Sequence, residues 1–339
     1  MGWRKTGDKD IMSRCVMLSS GGDPFLSLFV LKLFQENWYD EVDRFYINYN
    51  NHAGVPTDVV SEFVSRVVKE PKVHLIYHPN GIGNGMPITE MVKIAKEDLV
   101  MLLEDDGWIW TPGKVNWCFQ QIESDLTDAT GTPRFSCGTE IAEALKVKHN
   151  LDYTKYGDCG PSAWPNFFFC KREDLLRTDL NFGSKAFEQE TFYKELDYTM
   201  EKTEYADTFC WAFYQMRNNG MRFAEIPQFH VSPTEIQDKV KGELNWYQGQ
   251  TPYWYHVGSL SAGWNGYLQD RTPDTSNEGA KMEIESRVAG WQLALDQTEG
   301  FTEFRVEYQK GIDSLIIRAE LDPNRVKEKY DLFRGLMGL

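Results

Sequence analysis

Three consecutive acids, Glu104, Asp105 and Asp106, stand between the apolar run Leu99–Leu103 and Gly107. Carboxylates crowded in this way repel one another, and a divalent cation relieves the repulsion while gripping a diphosphate with its remaining coordination positions. Acids followed by glycine are also ordinary turn formers, so taken alone the four residues make a polar turn equally well. Their place in the fold decides between the two. In open α/β sheets ligands bind beyond the carboxyl ends of the strands, and acids placed there face a cleft rather than the core. Two further acids, Glu204 and Asp207, open a stretch of helical spacing that stops at Gly220. His230 and His256 lie in the late, aromatic-rich part of the chain. Neutral imidazole is a good ligand for manganese-like ions beside carboxylates, and in aromatic surroundings it is as readily a packed, hydrogen-bonded ring.

The elements that must position these residues are legible in the first hundred or so positions. RCVMLSS (Arg14 to Ser20) reads as a buried strand, GGD ends it, and an apolar-periodic helix starts at Pro24. Val42 to Asn50 alternates like a strand, and Pro56 to Glu70 places Val59, Val60, Phe63, Val64 and Val67 on one helical face. A third strand, Lys72 to His78, leads through the Gly-rich PNGIGNG to a helix over Pro87 to Asp98. Leu99 to Gly107 is then a continuous apolar strand that meets the three acids at its C-terminal end. Such β-α units call for a mostly parallel central sheet with helices on both faces, because parallel neighbours need crossovers and bury both sides. In that position the acids read as a site.

The second half is less regular. Pro112 to Asp125 looks helical, Thr127 to Pro165 reads as loops over a site, and Asn166 to Thr178 as strand then helix. Thr203 to Gly220 reads as a helix and Met221 to Val231 as a strand interrupted by Pro227. From about Glu278 the character changes to amphipathic helices, with Asp322 as a cap and Pro323 in the first helical position of the last. The expected organisation is a catalytic domain over 1–270 and a C-terminal helical extension over 271–339.

Composition narrows the function classes. The 339 residues are 41% hydrophobic and 14% aromatic, which suits a folded chain with a substantial core. The strongly apolar stretch Phe25 to Phe34 carries Lys32 and falls well short of the roughly 20 residues a membrane span needs. MGWRKTGDKDIMSRC has no apolar stretch ending in small residues, so a cytoplasmic location is expected. With 36 basic against 51 acidic residues the net charge is −15, which works against nucleic acid and anionic lipid as partners. The six cysteines are scattered without zinc-ligand spacing and read as reduced, mostly buried thiols.

HPNGIGNGMPITEMVKIAKEDLVMLLEDDG (His78 to Gly107), following two β-α units, resembles in order and spacing the glycosyltransferases of the GT-A fold, especially the large family-2-like group. The resemblance covers Arg14 to Val231 and implies a Rossmann-like α/β fold and a metal-dependent transferase, inverting by the family's layout, that moves a sugar from a nucleotide-diphosphate donor to a hydroxyl, here of a glycan. It implies Mn2+ or Mg2+ as cofactor. The family's DxD motif falls on Glu104 and Asp106, with glutamate in place of the first acid; Asp106 is the implied metal ligand, Glu104 meets metal, ribose or neither, and Asp105 lies beside them. His230 or His256 would complete the metal site. Ser19 and Ser20 fall where the first strand approaches base and ribose, Asn48 where the second strand meets the base, and Asn80, Gly83 and Asn84 where a loop passes under the nucleotide. Asp207, with Ala206 in place of the usual preceding acid, is the implied base for the acceptor hydroxyl, and Glu204 is its rival. Trp164, Trp246, Trp254 and Trp264 offer faces for sugar stacking, although most rings of this size belong to cores. Other readings are transfer onto hydroxymethylated bases of DNA, a nucleotidyltransferase, and a noncatalytic nucleotide-sugar-binding module. The C-terminal helices are a candidate surface for a homo-oligomer.

Overall fold

The computed structural model describes residues 12–52, 54–83, 85–134, 138–149, 162–226, 228–229, 243–245, 254–257, 260, 263–269 and 271–339. Strand and helix alternate through β1 (Arg14–Ser20), α1 (Pro24–Asn37), β2 (Arg44–Asn50), α2 (Thr57–Val67), β3 (Val73–His78), α3 (Met86–Ile94) and β4 (Leu99–Glu104). There follow β5 (Gly107–Ile109), α4 (Lys114–Glu123), β6 (Ala129–Gly131), α5 (Thr139–His149), β7 (Phe168–Lys171), α6 (Arg172–Leu176), α7 (Cys210–Asn218), β8 (Phe223–Glu225) and β9 (Trp254–His256). Three long helices come last, α8 (Glu278–Gln297), α9 (Thr302–Arg318) and α10 (Pro323–Met337).

The central sheet has seven strands in the order β8, β6, β7, β4, β1, β2, β3. β1 pairs in parallel with β2 and β4, β2 with β3, and β8 with β6, whereas β7 runs antiparallel between β4 and β6. The chain therefore has the mostly parallel α/β architecture, followed by C-terminal helices. Because successive strand residues point to opposite faces, a strand covered on both sides must be apolar throughout. In β4, Leu99, Met101 and Leu103 enter the core shared with α1, α2 and α4, while Val100 and Leu102 enter the core shared with α3 and α7. α1 starts where it does because Asp23 accepts the N–H groups of Phe25 and Leu26 at 3.0 and 3.2 Å and Pro24 takes the first helical position.

The last three helices extend the core on the α1 side. Phe25 of α1 meets Phe301, Phe304 and Tyr308 at centroid distances of 5.4, 5.7 and 4.8 Å. Tyr308 donates its hydroxyl to Asp23 Oδ2 at 2.6 Å. Phe333 of α10 lies edge-on to Trp108 of β5 at 6.0 Å and against Tyr255 of β9 at 5.0 Å. Between α8 and α10 the buried Glu285 takes Lys329 at 2.9 Å and Arg325 at 3.1 Å.

Several boundaries differ from the sequence reading. The helix expected over 87–98 ends at Ile94, where Ala95 turns to extended backbone. The strand expected from Leu99 through Gly107 stops at Glu104; Asp105 and Asp106 turn the chain, and β5 joins a separate sheet with β9, Glu243–Asn245 and Gln228–Phe229. The helix expected from Thr203 begins at Cys210, because Glu204–Ala206 pairs with Lys185–Phe187 and Phe209 takes a left-handed φ of 69°. The region from Thr127 to Pro165, read as loops, contains β6 and α5. Among the described residues, Cys15, Cys118, Cys170 and Cys210 are buried, and no helix is long and apolar enough to cross a membrane.

Candidate functional site

The strand order reverses at β1, with β2 and β3 on one side and β4 on the other. The crevice beyond the carboxyl ends of β1 and β4 is therefore a topological switch point, the usual place for a ligand in an open α/β sheet. Ser19 of β1 and Glu104 of β4 are register partners at that end. The three acids then divide. Asp105 turns to the β1 corner, where Oδ2 accepts the Gly21 N–H at 2.9 Å and the Ser20 hydroxyl at 3.0 Å. Ser20 Oγ also lies 2.7 Å from Ser27 Oγ and accepts the Gly22 N–H. Asp105 and Ser20 are both buried. Burial pushes the Asp105 carboxyl well above its usual range, and the charge of Asp106 adds to this, against the bonds from Gly21 and Ser20.

Glu104 and Asp106 turn instead toward His256, and one ligand atom from each of the three lies within 4.8 Å of the others. The short strands β5 and β9 bring this about: they pair antiparallel with His256 opposite Gly107, and the Val257 N–H donates to the Asp106 carbonyl at 3.3 Å. His256 Nε2 lies 3.2 Å from Asp106 Oδ1, and both side chains are buried. Burial raises the Glu104 carboxyl to about 7, helped by the charges of Asp106 and Asp207 and opposed by His256 and by the bond from Trp164. Burial also acts to raise Asp106, but the facing His256 ring outweighs it and holds that carboxyl below its usual range. Two carboxylates, buried Asp106 and half-buried Glu104, thus share one imidazole and remain short of positive charge. The donor set of two carboxylate oxygens and one imidazole nitrogen fits Mn2+ or a similar divalent ion, which would supply the missing charge.

The segment before β7 completes this arrangement. Trp164 donates its indole N–H to Glu104 Oε2 at 2.6 Å, which places its ring edge against the acid cluster. Trp254 is buried and stacks on Phe167, and Trp264 packs on Phe304 and Tyr308; both are core rings. Trp246 and His230 lie outside the described residues. Asn166, which sequence reasoning did not single out, bonds both Glu104 and Asp106. No local pattern marks it, because its partners are some sixty positions away.

The two remaining acids have different surroundings. Glu204 caps the start of α5, accepting the N–H groups of Glu140 and Ile141 at 2.9 and 3.2 Å and the Thr139 hydroxyl at 3.2 Å, with Lys202 at 3.0 Å. Burial acts to raise its carboxyl, and the Lys202 ammonium and the α5 N–H groups bring it below its usual range. Asp207 is close enough to Glu104 for its charge to raise that group. Its Oδ1 accepts the Thr208 N–H at 2.7 Å and the Ser184 hydroxyl at 3.4 Å. Ser184 lines a cleft of about 360 Å³ together with Gly85, Met86 and Thr89 of α3's start and Leu180 to Gly183.

Of the nucleotide-side candidates, Ser19 is half-buried at the end of β1. Asn48 is fully buried; its amide donates to Glu90 Oε2 of α3 at 3.0 Å, the oxygen that also meets His78 Nε2 at 2.6 Å, and Asn48 Oδ1 has no partner among the described residues. Asn80 is exposed in the turn after β3. Asn84 lies outside the described residues.

No protein-family model matches the chain, and no curated protein does. Among solved structures, the mannosyltransferase PcManGT from Pyrobaculum calidifontis, in complex with GDP-Man and Mn2+, aligns with 100% of this chain and 79% of its own at a TM-score of 0.44 and 10% identity.

Proposed function

We propose that the chain is a metal-dependent glycosyltransferase of the GT-A type, moving a sugar from a nucleotide-diphosphate donor to an acceptor hydroxyl with inversion. The observation that carries the reading is the convergence of Glu104, Asp106 and His256 at the switch point of the sheet. These three side chains would hold Mn2+ or Mg2+, and an ion there supplies Lewis-acid stabilisation of the charge that develops on a departing diphosphate. Asp105 and Ser20 brace the β1 corner behind them. Asp207 is the base. The Thr208 N–H fixes the orientation of its carboxylate, and Ser184 sets it at the edge of the cleft between α3 and residues 180–184. An acceptor hydroxyl entering by that cleft meets a carboxylate able to take its proton as the anomeric carbon is attacked. A single displacement of this kind inverts the anomeric centre, and the resemblance favours a glycan as acceptor.

The reading is tested by thermal unfolding against a panel of nucleotide diphosphates and their sugars, with and without Mn2+. A ligand that binds the native state raises its stability in proportion to affinity, so one nucleotide class should stabilise the chain, and only with Mn2+ present. The stabilising donor is then offered to hydroxyl acceptors and the product's anomeric configuration assigned by NMR. A retained anomer rejects inversion; binding without turnover on any acceptor makes the chain a binding module instead.

A further inference from the structure

We propose that Trp164 and Asn166 are positioning residues of the cation site, the bracket that aims Glu104 and Asp106 at His256 and thereby sets the affinity for the ion. The inference rests on the reading of those three side chains as ligands. Each of the three touches the segment 164–167. The Trp164 indole N–H donates to Glu104 Oε2 at 2.6 Å, which fixes the orientation of that carboxylate. The same indole ring lies 5.9 Å from the His256 ring. Asn166, fully buried, uses both ends of its amide: Oδ1 accepts the Glu104 backbone N–H at 3.4 Å, and Nδ2 donates to Asp106 Oδ1 at 3.4 Å.

Two features keep the bracket in place. A Cβ on residue 107 would sit 2.1 Å from Asn166 Oδ1, so a glycine at this position is what lets the amide reach between the acids. Phe167 adopts a left-handed φ of 59° and stacks its ring on Trp254 of β9 at 5.5 Å, which ties the segment to the strand that carries His256. A carboxylate on a flexible side chain gains most as a ligand when a second group fixes its rotamer, and loss of such an outer partner typically weakens metal binding by about 10- to 100-fold.

The experiment titrates Mn2+ alone into the full chain by calorimetry, for the wild type, Trp164→Phe, Asn166→Ser, Glu104→Gln and the double variant of Trp164→Phe with Glu104→Gln. Trp164→Phe keeps an aromatic ring but removes the N–H donor along with part of the ring; it and Asn166→Ser should each weaken Mn2+ binding by about 10- to 100-fold. Because the indole acts through Glu104, the double variant should bind no more weakly than Glu104→Gln alone, whereas independent effects would add. Circular dichroism checks the fold, and if one of the two bracket variants fails to fold the other carries the test. Wild-type affinity in the folded variants overturns the inference and leaves the ligand assignment standing. A wild type that binds no Mn2+ overturns both.

Discussion

At the scale of single residues, the acids divide because β4 ends at Glu104 and the chain turns through Asp105 and Asp106. Glu104 and Asp106 share a side and Asp105 takes the other, so one polar triplet serves both the cluster with His256 and the corner of β1. Asp106→Asn keeps the shape and a hydrogen-bond acceptor for His256 but removes the charge; Mn2+ affinity measured by titration should fall by on the order of 100-fold, with the unfolding temperature nearly unchanged. Retained affinity would remove Asp106 from the ligand set. Asp207 and Glu204 separate in the same way. Asp207→Asn should spare donor binding and lower transfer by about 10²- to 10⁴-fold. Glu204→Gln should leave transfer per folded molecule intact and cost about 1 kcal/mol in urea unfolding, as weakening of a helix cap does. The acid triplet was legible because residue type and the preceding apolar run announce it; His256 was legible only by residue type, as one of two histidine candidates. Asn166 was not, since an asparagine before FFF carries no periodic or motif signal, and its role exists only once β7 lies beside β4.

At the scale of elements, Asp23 joins two helices distant in sequence, capping α1 and receiving the Tyr308 hydroxyl from α9. Burial lifts its carboxyl to about 6, against the bonds from Tyr308, Leu26 and Phe25 that favour the charged form. The native state therefore holds this proton more tightly than the unfolded chain, and the associated stability is complete below the unfolded pKa and lost as pH rises through about 6. Asparagine at position 23 can still cap without titrating. Urea unfolding at pH 4 and pH 7 should show wild type losing up to about 3 kcal/mol relative to Asp23→Asn across that interval. A pH-independent difference between the two proteins would refute the assignment. The long elements were readable because apolar periodicity persists over several turns or strand residues, as in Val59, Val60, Phe63 and Val67 of α2. β5 and β9 are each three residues long, too short to leave a pattern, and they pair where their Trp108 and Tyr255 rings pack against Phe333 of α10.

At the scale of the whole molecule, the sheet and the last three helices share one apolar core, joined through Phe25, Tyr308, Trp108 and Phe333. The sequence marked these helices and the start of α10 at Asp322 and Pro323, but not the face of the sheet they cover, because an amphipathic stripe specifies that something is buried and not against what. Phe333→Ala should cost about 3 to 5 kcal/mol, seen as one cooperative shift by both tryptophan emission and circular dichroism. Two separated transitions would show instead that the helices fold apart from the sheet. The contact of Phe333 with Trp108 and Tyr255 also orders events at the ribosome. Glu104 and Asp106 are translated long before His256, and the clamp that closes their strands together arrives later still. On the proposed reading, a nascent chain completes its cation site only with these late contacts; arrested chains of increasing length should acquire tight Mn2+ binding only once residue 333 has cleared the exit tunnel.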